Sequence, residues 1–171
     1  MTKDFLTIYT DASVMSHETK GSCGGVGVFF ADNDVRNTSK ALEGHGWHSV
    51  DAEIKAITVA LGRIGQWYKG PLRVMTDCMA IVTVVNSNRL ERYSDEGGTK
   101  SPWRSLKNAI DGYKGLVRMK YVHGHKGVKG NVEADRLARQ GAKEAKEKAS
   151  QKDGSSGENG KKGEENESSS S

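Results

Sequence analysis

Apolar positions along this chain follow two periods. Residues 5–10 (FLTIYT), 26–31 (VGVFFA) and 72–76 (LRVMT) are short β-branched and aromatic runs of strand length. Asn33-Asp34 reads as a turn after the second run, and residues 36–43 return as a third strand. Val50, Ile54, Ile57, Leu61 and Ile64 recur at spacings of four and three, one face of a helix. Ala52, Ala56 and Ala60 form a small-residue face beside it, and Gly65 with Gly70-Pro71 marks its exit. A second helix is predicted over 79–86, a polar loop over 88–100 (NRLERYSDEGGTK) and a short helix over 103–113. A fifth strand over 116–122 and a final helix over 131–149 complete the order β-β-β-α-β-α-α-β-α. That order predicts an α/β domain, a mixed sheet with helices packed on it.

The stretch GSCGGVG before the second run superficially matches a phosphate-binding loop. Such loops open a helix, whereas this one runs into a strand, so its glycines are read as sites of close backbone approach in the sheet.

The last 22 residues, from Ser150, hold no aliphatic or aromatic side chain and are expected to be a disordered polar tail. The folded domain is then 1–149 and the tail 150–171. The tail carries three lysines and five acids, so the rest of the chain has about six excess positive charges against the chain's +4. A modestly basic surface suits a polyanionic partner. No run of about 18 apolar residues is present, so no membrane span is expected. The N-terminal stretch lacks a signal-peptide pattern. Two cysteines make neither a disulfide framework nor a zinc pattern, which points to a reducing, cytoplasmic setting; a monomer with no membrane partner is expected.

Four acids sit at or near predicted element ends. Asp11 follows the first strand and Asp77 the fourth, while Glu53 and Asp135 fall in the first turns of the first and last long helices. Singly, each has a plain structural explanation as a turn former or a first-turn carboxylate. Together they form a pattern: with strands one and four as neighbours, Asp11 and Asp77 lie side by side. Clustered carboxylates repel unless cations lie between them, and oxygen-only sites suit Mg²⁺ or Mn²⁺. Two such ions about 3.5–4 Å apart clamp a phosphodiester. His123 and His125 lie in a glycine-rich loop before Asp135, with no further ligand at zinc spacing nearby. His123 is therefore read as a strand-end or nucleic-acid-facing residue.

The motifs YTDAS around Asp11, DAEIKAI around Glu53, MTDC around Asp77 and GHKGVKGNVEADRLA ending past Asp135 resemble type 1 ribonuclease H. The resemblance spans roughly residues 5–145, and the His-x-Gly-x₂-Gly-Asn-x₃-Asp spacing from His125 to Asp135 is its most specific part. It implies the ribonuclease H-like fold: a five-stranded mixed sheet with helices on both faces. It also implies an endonuclease that cuts the RNA strand of an RNA/DNA hybrid with two Mg²⁺ ions, Mn²⁺ as substitute, leaving 5′-phosphate and 3′-hydroxyl ends. By resemblance, Asp11 bridges both ions and Asp135 completes the site that activates water. Glu53 and Asp77 hold the other ion near the leaving 3′-oxygen, with Glu53 close to the RNA 2′-hydroxyl. His125 matches the family's mobile-loop histidine, with Gly124, Gly127 and Gly130 allowing that loop to move.

The chain departs from the family pattern at several places. Ala12 and Cys78 stand where Gly and Ser are usual, and His48-Ser49-Val50-Asp51 replaces the usual asparagines before the helix glutamate. The basic handle after the second helix is diluted by three acids, and no separate hybrid-binding domain is expected ahead of the catalytic one. Two other classes remain open: a non-catalytic hybrid-binding module with this fold, and a related DNA nuclease or resolvase.

Overall fold

The computed structural model describes residues 4–155. Among them five strands form one sheet in the order β3-β2-β1-β4-β5. β1 (Leu6–His17), β2 (Gly21–Phe29) and β3 (Thr38–Ala41) are an antiparallel meander, and β4 (Leu72–Thr76) and β5 (Val117–Tyr121) add in parallel beyond β1. The sheet is mixed, as expected, and carries helices on both faces. No helix among the described residues is long and apolar enough to cross a membrane.

α1 (Ser49–Ile64) buries the predicted face. Ile54, Ile57, Leu61 and Ile64 join Ile8, Val28, Leu72, Val74 and Ile81 in the main core. Each fully buried aliphatic side chain of this kind contributes about 1.5–3 kcal/mol. The alanine face of α1 packs closely on Val26 and Leu42. α2 (Met79–Asn86) and β4 match their predicted bounds.

The final helix, α5 (Lys129–Ser155), covers β1, β2 and β3 from the opposite face. Ala134, Ala138 and Ala142, four apart and fully buried, lie against the glycines of β2. A Cβ on Gly25 would come within 1.9 Å of the Ala142 nitrogen, and one on Gly27 within 2.1 Å of the Ala134 carbonyl. The glycine run is thus a packing surface, as its place in a strand predicted.

Besides β2, which starts at Gly21 and not at Val26, three differences from expectation stand out. β1 does not stop at Thr10 but continues to His17, because β2 pairs with it along its whole second half. Residues 90–96 form a helix, α3 (Leu90–Glu96), where a loop was expected. It is held against α4 (Pro102–Gly112) by the Tyr93–Trp103 ring contact and by Arg104, which donates to the carbonyls of Ser94 and Gly98. The three diluting acids are engaged there: Glu91 with Lys107, Asp95 with Arg104, Glu96 with Arg92.

Third, α5 runs past Ala149, so residues 150–155 are helical and not part of a disordered tail. His17 Nε2 lies 3.1 Å from Ser150 Oγ, and Asp153 accepts from Thr19 Oγ1 and pairs with Lys20. Polar contacts to the β1–β2 turn extend a helix that its own composition would not. The rest of the predicted tail, 156–171, lies outside the described residues.

Candidate active site

The site lies where β4 ends and β1 does not. The parallel pairing closes at Tyr9 opposite Met75, and Asp11 and Asp77 each stand two residues further on. Asp11 is therefore a mid-strand residue, a correction to the expectation of a strand end. Its adjacency to Asp77 survives because β4 is the strand that stops. The backbone N–H of Ala12, left unclaimed by β4, donates to Asp11 Oδ1 at 2.8 Å and to Glu53 Oε1 at 3.1 Å.

Glu53 is the fifth residue of α1, one turn further in than expected. The helix dipole alone does not account for an acid there, since its effect falls off within the first turn. Asp11, Glu53 and Asp77 bring ligand oxygens within 4.8 Å of one another. Asp11 and Glu53 are at least nine-tenths buried, and Glu53 Oε2 finds no hydrogen-bond partner among the described residues. Burial first, then repulsion from Asp77 and Asp135, pushes the Asp11 carboxyl up to about 6 against the opposing pull of Glu53 and the Ala12 N–H. Burial and then the Asp11 charge push Glu53 up further. An unpartnered buried oxygen within a group of mutually repelling acids fits a divalent cation, which supplies the missing partner and charge.

Asp135 borders the same cleft, about 500 Å³, but stands outside the three-acid cluster. α5 begins two residues earlier than predicted, so Asp135 lies in its second turn and its placement is not a first-turn dipole effect. Its carboxylate pairs with Arg139 Nε at 2.9 Å, one turn along the helix.

His125 also lines the cleft, exposed, on a turn where its own φ is +58°. Of the three glycines assigned to loop movement, only Gly127 has a positive φ. Gly124 serves close approach instead, since a Cβ there would meet Asp77 Oδ2 at 2.7 Å. Gly130 likewise lets the start of α5 rest on the Tyr9 ring. His123 follows β5 and stands edge-on to Tyr121, 5.0 Å between centroids. Ser49 lines the cleft, while Val50 packs against the core.

Two residues of the site carried no assigned role in the sequence. Asn131 lines the cleft, is 4% exposed, and leaves its Oδ1 unpartnered among the described residues. Its position in the Gly-Asn-x₃-Asp motif was the available signal. Arg139 has no such signal beyond its i+4 spacing from Asp135.

A mixed sheet with an acid cluster at the end of its β1–β4 parallel pair defines an α/β domain whose Asp11, Glu53 and Asp77 could hold a metal ion. The RNase H family profile matches residues 3–143, and the chain belongs to that family. It is 32% identical over 148 residues to ribonuclease H of Schizosaccharomyces pombe, covering 82% of this chain and 54% of that protein. It is 29% identical over 150 residues to human ribonuclease H1, covering 83% and 51%. The chain thus spans about half the length of these curated relatives. Among solved structures, LC9-RNase H1, a type 1 RNase H with the type 2 active-site motif, superposes with a TM-score of 0.65 at 19% identity, covering 85% of this chain and 75% of that one. LC11-RNase H1, solved in complex with RNA/DNA hybrid, gives 0.60 at 16% identity, covering 81% and 97%. These two likenesses concern the fold.

Proposed function

We propose that this domain is an endoribonuclease that hydrolyses the RNA strand of RNA/DNA hybrids. The observation that carries the reading is the convergence of Asp11, Glu53 and Asp77 on one point, with Asp135 and His125 at the rim of the same cleft. Family membership and relatives named ribonuclease H support it.

Asp11, Glu53, Asp77 and Asp135 would hold two divalent cations, Mg²⁺ with Mn²⁺ as substitute. When bound, these supply the charge that activates water and stabilises the leaving oxygen. The Ala12 N–H fixes the Asp11 and Glu53 carboxylates in position, so little reorganisation is needed on binding. Water attacks phosphorus, the P–O3′ bond breaks, and the 3′-oxygen takes a proton, leaving 5′-phosphate and 3′-hydroxyl ends. His125, exposed at the rim, moves protons in and out. Ser49 and the Asn131 amide face the substrate from the cleft walls, where a 2′-hydroxyl offers both donor and acceptor.

All four carboxylates come from one chain, which suits action as a monomer. Both cysteines are free, which suits the cytoplasm.

The test is cleavage of strand-labelled hybrid, duplex RNA and duplex DNA with Mg²⁺, with Mn²⁺ and with excess chelator. Metal-dependent loss of the RNA strand of the hybrid alone is expected. Cleavage of duplex DNA in its place, or tight hybrid binding with no cleavage under any metal, overturns the reading.

A further inference from the structure

α5 covers β1, β2 and β3 but leaves the same face of β4 and β5 open. Strand register places the side chains of that open face in rows. Thr7, Arg73 and Arg118 are cross-strand partners, and so are Tyr9, Met75 and Lys120. Directly opposite residues share a face of the sheet. Phe5 confirms it, because its ring lies under both guanidiniums, 5.0 Å from Arg73 and 5.3 Å from Arg118.

Like charges placed directly opposite on neighbouring strands destabilise a sheet. Arg73 and Arg118 are nonetheless adjacent. Neither forms an ion pair with a carboxylate among the described residues, and Arg73 Nε is buried without a partner. Lys114 lies at the edge of the same depression with Phe5 and Arg118. Stacking on one ring holds both forks in place, and an anion would relieve their repulsion.

Arg73, Met75 and Asp77 alternate along one strand line, so the arginine row lies about 13 Å from Asp77, four residues at about 3.3 Å each. We infer that this open sheet face binds the phosphate backbone of the same nucleic acid, about four base steps from the cleavage point at about 3.4 Å per step. The inference rests on the hybrid-nuclease reading and adds a second contact site to it.

Arg118 and Lys114 are exposed, so Arg118→Ala with Lys114→Ala is compatible with folding, which an unchanged melting temperature verifies. Steady-state cleavage is measured in Mg²⁺ on a hairpin hybrid of about four base pairs, three steps and too short to reach the row, and on one of about 20 base pairs. On the long hybrid the double variant is expected to raise KM about three- to tenfold at unchanged kcat, and to flatten the salt dependence of binding by about 1.5–2 in log–log slope. On the short hybrid both quantities should match the parent. An unchanged KM and slope on the long hybrid overturn the inference. So does equal weakening on both lengths, since the row would then act through the fold or the cleft. Failure of the unaltered protein to cleave either hybrid counts against the nuclease reading itself, and is read separately.

Discussion

Asp135 pairs with Arg139, Nε to Oδ2 at 2.9 Å, and stands outside the cluster formed by the other three acids. Both side chains are partly exposed, so the pair is a weak latch, worth about 0.3–0.5 kcal/mol as an i,i+4 contact. It competes directly with any cation that draws on Asp135.

Arg139→Ala should therefore tighten divalent-ion binding by about twofold, the equivalent of that pair energy. Calorimetric titration of Mg²⁺ in the absence of nucleic acid reads it. A weakened ion site would show that Arg139 orients Asp135 for the metal and does not compete with it.

The metal-free protein should lose stability as pH rises. The Asp11 carboxyl sits near 6 in the fold against 3.8 ordinarily, and Glu53 is raised as well. Raised carboxylates stabilise the fold fully below their ordinary values, and that contribution is lost as pH climbs through the folded ones. In chelator, the melting temperature should fall from about pH 4 through the Asp11 value near 6, and go on falling toward about pH 10 as Glu53 follows. Asp11→Asn should flatten this decline, melt higher than the parent at pH 7, and abolish cleavage. A parent curve that rises across the window contradicts the repulsion argument.

Cation binding near neutral pH should release protons, because Glu53 must give up its proton to become a ligand. Titrations in buffers of different ionisation enthalpy measure the number released. Mg²⁺ affinity should rise with pH over the same range, and zero release would place the ion away from Glu53.

His125 and Asp135 border one cleft but should fail differently. His125→Ala is expected to lower turnover substantially while leaving the Mg²⁺ midpoint nearly in place, whereas Asp135→Asn should shift the midpoint. His123→Ala, whose ring stands on Tyr121, should be the milder histidine change. An equal midpoint shift in His125→Ala and Asp135→Asn would make His125 a ligand.

Gly25→Ala should cost at least about 3 kcal/mol of stability, the upper range for overpacking, because its Cβ would meet α5 backbone with no side chain able to give way. Chemical denaturation measures it. A loss below about 1 kcal/mol would mean that α5 can ride up from the sheet.

Local signals in the sequence determined most of the elements. Period-two and period-3.6 patterns placed β4, α1 and α2 closely, since those segments bury the side chains that their own spacing aligns. The four acid motifs were legible because residue type and spacing are properties of the chain itself. Elsewhere the deciding contacts come from far along the chain. β1 extends to His17 because β2 pairs with it, α3 forms because α4 receives it, and α5 reaches Ser155 with the β1–β2 turn beside it. The same holds for the site. That Asp11, Glu53 and Asp77 are acids was written in the sequence. That one of Glu53's oxygens is buried without a partner among the described residues, that Asp135 pairs with Arg139 outside the cluster, and that Arg73 and Arg118 share an open face depends on strand register and helix start. Both are set by which surfaces can be buried together, and no single segment carries that information.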